Sequence, residues 1–342
     1  MSWRMPAETA AQYCVWMAFP VSGYTLGDDT ASADEARRTW AAVANAIAEF
    51  EPVRMVVDPQ ERVVAARYLS AEIEVLEAPL DDSWMRDIGP SFVQGDDGQL
   101  GAVDWIFNGW GAQSWATWGK DAQIGRFVAA ASGADEISSM LVQEGGGFHV
   151  DGEGTALVTQ TVQLDPGRNP YADRARVEAE LARTIGVTHT IWLPRGLTRD
   201  QQRYGTRGHI DMVATFAEPG VVLLHVQNNP AHPDYAITRE VRGVLEVARD
   251  AAGRTLRIIE LPAPATLTDE EGFVDYNYVN HLVVNGGVVA CSFGEVDADR
   301  AAEDILAAAY PGRRVVAVDA RPLFARGGGI HCITQQQPSM SV

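Results

Sequence analysis

No uninterrupted apolar run in this sequence approaches the roughly 20 residues that a membrane-spanning helix needs. The opening residues, Met1-Ser2-Trp3-Arg4-Met5-Pro6-Ala7-Glu8, lack the apolar core of a signal peptide, so a cytoplasmic location is expected. Cysteine is scarce. Cys14, Cys291 and Cys332 are scattered and form no Cys-x-x-Cys pair, which argues against a disulfide framework and against structural zinc. Basic residues are the minority charge, with 27 Lys and Arg against 46 Asp and Glu, a formal net charge of −19. That balance disfavours nucleic acid or an anionic membrane as a partner and suits a cationic ligand. No Pro/Ser-rich linker divides the chain, so residues 1–342 are expected to form a single domain. The hydrophobic fraction of 46% is ordinary for a globular protein, and the length suffices to bury a sizeable core.

The chain has an internal rhythm. Ser91-Phe92-Val93 turns at Gly95-Asp96-Asp97-Gly98 into Leu100 to Trp105, and Phe148-His149-Val150 turns through Asp151 to Gly154 into Thr155 to Thr159. His209 to Phe216 turns at Glu218-Pro219-Gly220 into Val221 to Val226, and Asn280 to Val284 turns at Asn285-Gly286-Gly287 into Val288 to Ser292. Asp-Gly and Asn-Gly between apolar runs are strong hairpin signals. A helical stretch and a lone apolar strand follow each hairpin: Lys120 to Ala131 then Ser138 to Val142, Tyr171 to Thr184 then His189 to Leu193, Tyr235 to Ala251 then Leu256 to Leu261, and Asp297 to Tyr310 then Arg314 to Val318. The apolar steps of three and four, as at Ala301, Ile305 and Ala308, give the helices. The N-terminal part fits a fifth copy with strands at Cys14–Phe19, Val53–Val57 and Ile73–Ala78, its hairpin partner being the final strand near Ile333. Five repeats of hairpin, helix and strand imply a closed radial α/β array.

Five polar clusters fall at the junctions of these units: Trp84-Met85-Arg86-Asp87, Glu144-Gly145-Gly146-Gly147, Gly208-His209-Ile210-Asp211, Tyr276-Asn277-Tyr278-Val279-Asn280, and Gly327-Gly328-Gly329-Ile330-His331-Cys332. Taken singly each has an ordinary structural explanation. A free Cys is commonly core filling, an Asp beside an Arg is commonly a surface ion pair, and His-x-Asp is commonly a satisfied pair. Their recurrence at equivalent places in a closed repeat points instead to one shared site.

These clusters carry a family likeness. The segments Met5 to Glu8, Trp84 to Val93, Val103-Asp104-Trp105, Glu144 to Thr155, Arg168-Asn169-Pro170, Gly208 to Asp211, Asn285-Gly286 and Gly327 to Pro338 resemble the agmatine deiminase family, bacterial-type relatives of the peptidylarginine deiminases in the guanidine-modifying superfamily. The resemblance implies a five-bladed pseudo-symmetric α/β propeller, the pentein fold. It marks Cys332 as nucleophile, His209 as acid/base, Asp87 and Asp211 as guanidinium ligands, and Glu144 as a supporting carboxylate, with Trp84, Asp87, Asp211, Gly329 and Arg207 against the substrate. No cofactor and no metal is expected. The implied partner is a small guanidine-like molecule, and a homo-oligomer is left open.

The chemistry accounts for these residue types. A guanidinium carbon is flat, resonance-stabilised and a poor electrophile. Two carboxylates fix it by charge-assisted hydrogen bonds, which makes thiolate attack effectively unimolecular. A bound cation lowers the thiol pKa, so activation is expected to be partly substrate-assisted. His209 would protonate the departing ammonia and then deprotonate water, while Glu144 either binds substrate nitrogen or steadies the histidine. Read as a strand, Gly208 to Asp211 sets His209 and Asp211 on one face; the tail, read likewise, turns His331 to the face opposite Cys332, leaving His331 without a catalytic role.

The chain departs from the family where the substrate tail docks. Gly205 takes the acidic position four residues before the histidine, between Arg203 and Arg207, and Met212 follows Asp211 in place of a polar residue. Gly329 stands where the family often has Asn, and Asn277-Tyr278 occupies a usually simpler stretch. Agmatine is the first expected substrate. A guanidino acid, an arginine derivative or a nitroimidazole losing nitrite are the alternatives, followed by amidinotransfer or a non-catalytic binder.

Overall fold

The computed structural model describes residues 2–21 and 23–340. Beside one two-stranded ribbon, the described residues build five small mixed sheets of one design, in which a first strand pairs antiparallel with a second, and the second pairs parallel with a third that returns after a helix. Parallel pairing requires such a crossover, because a tight turn cannot reverse the chain twice. One sheet holds Ser91–Gly95, Leu100–Ile106 and Asp135–Val142 with helix Ile124–Ser132, and Trp3–Arg4 adds an edge strand to it. The next holds Phe148–Val150, Thr155–Thr159 and His189–Leu193 with helix Arg174–Ile185. Ala214–Glu218, Val221–Val226 and Arg257–Pro262 follow with helix Asp234–Val247, then Leu282–Val284, Gly287–Ser292 and Arg314–Asp319 with helix Val296–Ala309.

The fifth sheet joins the two ends of the chain. Thr334–Pro338 lies antiparallel to Gln12–Ala18, with Thr334 opposite Met17 and Gln336 opposite Val15. Val53–Val57 and Glu74–Glu77 continue the sheet in parallel. Its strand Gln12–Ala18 is apolar almost throughout because both faces are covered, and Cys14 through Phe19 are fully buried. Helix Thr30–Ala48 covers one face with Trp40, Val43, Ala44 and Ile47, and starts where the Asp29 carboxylate accepts the Ala31 and Ser32 N–H groups. Each large apolar side chain buried this way contributes about 1.5–3 kcal/mol. Asn285-Gly286 makes its hairpin turn with Gly286 at φ +72°, a conformation glycine adopts freely. Among the described residues no helix is long and apolar enough to cross a membrane.

Two expected strands are shorter than the periodicity implies. His209–Met212 is not strand: residues Ile210–Met212 form a 3-10 turn and the strand begins at Ala214. The cause is Asp200, whose carboxylate takes the Gly208 and His209 N–H groups and so withdraws them from any ladder. The tail is likewise a 3-10 turn over His331–Ile333, with strand only from Thr334, whose hydroxyl bonds back to the Ile330 and His331 carbonyls. Helix Arg174–Ile185 starts three residues after the expected Tyr171 because Asp173 caps it through the Arg176 N–H.

Candidate active site

Every unit places a short non-strand segment just before its first strand, and each such segment carries a polar side chain into one buried cluster. Asp87 lies on the helical turn Met85–Ile88, which Trp84 precedes, and Glu144 stands immediately before the 3-10 turn Gly145–Gly147. His209 precedes, and Asp211 lies within, the turn Ile210–Met212; Cys332 lies within the turn His331–Ile333. Asn280 comes from the loop ahead of Leu282. All of these side chains are buried.

Asp87 is held on both oxygens. Oδ2 accepts the Trp110 indole N–H at 2.9 Å and Oδ1 accepts the Gly146 N–H at 3.1 Å. His209 Nε2 meets Glu144 Oε2 at 3.3 Å, while Nδ1 lies 3.8 Å from Asp87 Oδ1 and 4.0 Å from Asp211 Oδ1. His209 Nδ1 and Asp211 Oδ1 are buried and have no hydrogen-bond partner. Unsatisfied buried polar atoms are costly, so two facing one another mark a place prepared for a polar ligand. The Cys332 Sγ lies 3.5 Å from Asp211 Oδ2 and 3.2 Å from the Asn280 amide nitrogen. Bare backbone lines the same space: a Cβ on Gly146 would stand 2.5 Å from His209 Nδ1, and one on Gly328 would stand 3.0 Å from Cys332 Sγ and 2.8 Å from the Trp84 ring.

The charges of the site are set by this packing. Burial, then the Asp211 and Asp87 charges, push the Cys332 thiol well above its ordinary 9.0. Burial opposes the charged form of His209, but Asp87, Glu144 and Asp211 outweigh it and raise the imidazole to about 9. Burial lifts Asp87 to about 6, with His209 pulling against it. Asp211 and Glu144 are also penalised by burial, yet both are held below the usual carboxylate range, by His331 and Arg168 respectively. The protein by itself therefore sets a neutral thiol beside a charged imidazolium and carboxylates, and a bound cation would shift the thiol toward thiolate.

Glu144 has little left to offer a substrate. Arg168 Nε donates to both its oxygens, at 3.0 and 2.9 Å, and His209 takes the remaining approach to Oε2. Arg207 lies away from the sulfur cluster: its Nε is 3.4 Å from Asp165 Oδ2 and its side chain is 43% exposed. Gly205 packs so tightly that a Cβ would stand 2.1 Å from the Asp200 carbonyl oxygen. Gly329 borders the site through Asn280, whose Oδ1 would lie 2.5 Å from a Cβ there.

Four further groups were not legible as site residues. Trp110 has φ +55° and buttresses Asp87, and nothing in the run Gly109-Trp110-Gly111 marks an indole for that use. Arg168 lies within a segment that carries the family likeness, and the sequence attaches no role to it. Asn280 stood in a recognised junction cluster, again without a role. His331, read as facing away, instead has Nδ1 2.8 Å from Asp211 Oδ2, because successive residues of a 3-10 turn diverge by roughly 120° rather than the 180° of a strand.

Comparison with known proteins identifies the family. The family model for Porphyromonas-type peptidyl-arginine deiminase matches residues 4–338. A Streptomyces coelicolor protein is 52% identical over 339 residues, 99% of each chain. The agmatine deiminase of Stutzerimonas stutzeri is 39% identical over 358 aligned residues, covering 98% of this chain and 95% of its own. The structure of the agmatine deiminase of Enterococcus faecalis matches with a TM-score of 0.93 at 32% identity, covering 99% of this chain and 97% of that one. These matches show that the chain belongs to the Porphyromonas-type peptidyl-arginine deiminase family, in the company of the agmatine deiminases.

Proposed function

We propose that this protein is a cysteine-dependent hydrolase that converts the guanidino group of agmatine to a ureido group, giving N-carbamoylputrescine and ammonia. The observation that carries the reading is the pair of unpartnered atoms, His209 Nδ1 and Asp211 Oδ1, set beside the Cys332 thiol and the Asp87 carboxylate. A planar cation fits two carboxylates, and its charge offsets the burial and the carboxylate repulsion that together keep the thiol protonated. The thiol proton leaves to water and Cys332 Sγ forms a bond to the guanidinium carbon. His209, charged at neutral pH, gives a proton to one nitrogen of the tetrahedral adduct. The C–N bond breaks, ammonia departs and an S-alkylthiouronium remains. Neutral His209 then takes a proton from water as its oxygen adds to the same carbon, and the C–S bond breaks as the proton of the new hydroxyl passes to the departing sulfur, which returns the Cys332 thiol and releases the urea product. Glu144 steadies His209 through Nε2, so the nitrogen doing this work is Nδ1. The residue roles given to Cys332, His209, Asp87 and Asp211 are part of this proposal.

The choice of agmatine rests on the relatives and on the surroundings of Trp110. A cavity of about 140 Å³ beside it is lined by Tyr24, Asp81, Asp82 and Trp115. Aromatic faces and carboxylates suit a distal ammonium, not a distal carboxylate. The five sheets are read as blades of one closed α/β propeller forming a single domain, with the chain ends sealing the ring in the shared sheet. Incubation with agmatine, arginine, guanidino acids and a nitroimidazole, with mass-spectrometric identification of products, tests the assignment. Agmatine should give N-carbamoylputrescine fastest. Preference for a guanidino acid, nitrite release, or no turnover at all would each contradict it.

A further inference from the structure

Behind the site lies a buried chain of charged groups that the catalytic scheme above does not use. His331 Nε2 lies 2.8 Å from Glu8 Oε1, and its Nδ1 lies 2.8 Å from Asp211 Oδ2. A carboxylate only accepts hydrogen bonds, so a ring held between two carboxylates donates from both nitrogens and is an imidazolium. Glu8 also faces Arg86 Nη1 at 3.3 Å and His149 Nε2 at 3.6 Å, while Arg86 Nε donates to the His331 carbonyl oxygen. Two cations, His331 and Arg86, thus oppose two anions, Glu8 and Asp211, in the protein interior. Glu8, His149 and His331 present ligand atoms within 4.8 Å of one another. Both His331 nitrogens are already engaged by carboxylates, so the cluster is bound by protons and not laid out for a metal.

We propose that His331 is a positioning residue: clamped by Glu8, it holds Asp211 ionised and fixed through Oδ2, leaving Oδ1 directed at the guanidinium. The unpartnered state of Asp211 Oδ1 is the second half of this geometry. The other groups facing Asp211 are His209 Nδ1 at 4.0 Å and the Cys332 thiol at 3.5 Å, with Arg86 and Asp87 acting at longer range. Burial raises the Asp211 carboxyl and the His331 contact brings it back down, so loss of the imidazolium lets the carboxyl rise. Tight coupling between adjacent His331 and Cys332 follows: one residue of the turn holds the acid and the next supplies the sulfur beside it.

The kinetic half of the test rests on the agmatine reading, and the spectroscopic half does not. In the parent protein labelled with ¹⁵N-histidine, the His331 ring should show two protonated nitrogens at pH 7, assigned by loss of its signals in His331→Asn. A neutral tautomer there would overturn the proposal. In kinetics, His331→Gln should raise the KM for agmatine about tenfold or more, lower kcat less, and move the acid limb of kcat/KM to higher pH. His331→Asn, whose amide reproduces the Nδ1 donor, should recover part of the KM. Folded variants of both kinds that keep the parent pH profile would sink the idea, as would equal losses without a pH shift. Should neither variant fold, Glu8→Gln must move the same acid limb in the same direction by a smaller amount, and an unmoved limb refutes the clamp. Absence of agmatine turnover in the parent would mark failure of the functional reading alone, leaving the ¹⁵N spectra to decide this one.

Discussion

The His209 imidazole is asked to be an acid first and a base second, and its surroundings suit that order. Its pKa of about 9 keeps it charged at neutral pH, poised to protonate the leaving nitrogen. The same shift bears on stability. A histidine raised above its ordinary 6.5 stabilises the fold fully below that value, and this contribution is lost as pH rises through about 9. In denaturant titrations the stability difference between the parent and His209→Asn should therefore be full and constant below about pH 6.5 and shrink as pH rises to about 9; a difference that does not change with pH would contradict the assignment. The Cys332 thiol is raised well above 9.0, so the ultraviolet thiolate signal that Cys332→Ala removes should be absent from the free enzyme at pH 7. A strong thiolate signal at that pH would exclude substrate-assisted activation. Trp110→Phe deletes the indole N–H that reaches Asp87 at 2.9 Å. A hydrogen bond to a charged group contributes about 1.5–3 kcal/mol, so kcat/KM should fall roughly tenfold or more, with an unchanged value telling against Asp87 as a substrate anchor.

The elements that present these groups are turns, and their geometry depends on absent side chains and on one buried acid. Asp200 accepts the N–H groups of Thr206, Gly208 and His209, fixing the loop that Gly205 packs against. Gly205→Glu restores the acidic residue typical of the family's agmatine members, yet its Cβ would collide with the Asp200 backbone. The expected result is loss of both stability and activity, measured by thermal melting and turnover, and a gain in agmatine affinity would contradict this account of the loop. The five-fold alternation of hairpin, helix and strand was legible in the sequence because period-two apolar runs, Asp-Gly and Asn-Gly turns and three-four spacing leave local signatures. The segments carrying Cys332, His209, Asp87, Asp211 and Glu144 stand out in the sequence because their flanking motifs are distinctive, and the roles given to these residues belong to the proposal. The turns were not legible. Whether Ile210–Met212 pairs or coils depends on Asp200, a residue nine positions before His209 whose role arises only in three dimensions. His331 was misplaced for the same reason, since a 3-10 turn in place of a strand changes which neighbours share a face. The Arg168 clamp on Glu144 joins residues 24 apart that no periodicity links.

On the scale of the whole molecule, the site exists because segments distant in sequence are brought around one centre. Cys332 reaches it only as the chain enters Thr334–Pro338, the strand paired with Gln12–Ala18. Trp16 on that inner strand donates its indole N–H to Gln337 Oε1 at 2.9 Å, tying the two ends together. Truncation after Ile333 should abolish cooperative unfolding along with activity, and a truncated protein with a parent-like melting transition would refute the role given to that seam. The central claim is narrower than the architecture: Cys332 bonds covalently to the carbon of a guanidinium. Acid-quenching the parent during agmatine turnover, followed by peptide mass spectrometry, tests it most directly. The account predicts an amidino adduct confined to the Cys332 peptide and no turnover by Cys332→Ala. Product formation by Cys332→Ala at the parent rate, with no adduct on the parent, would contradict it.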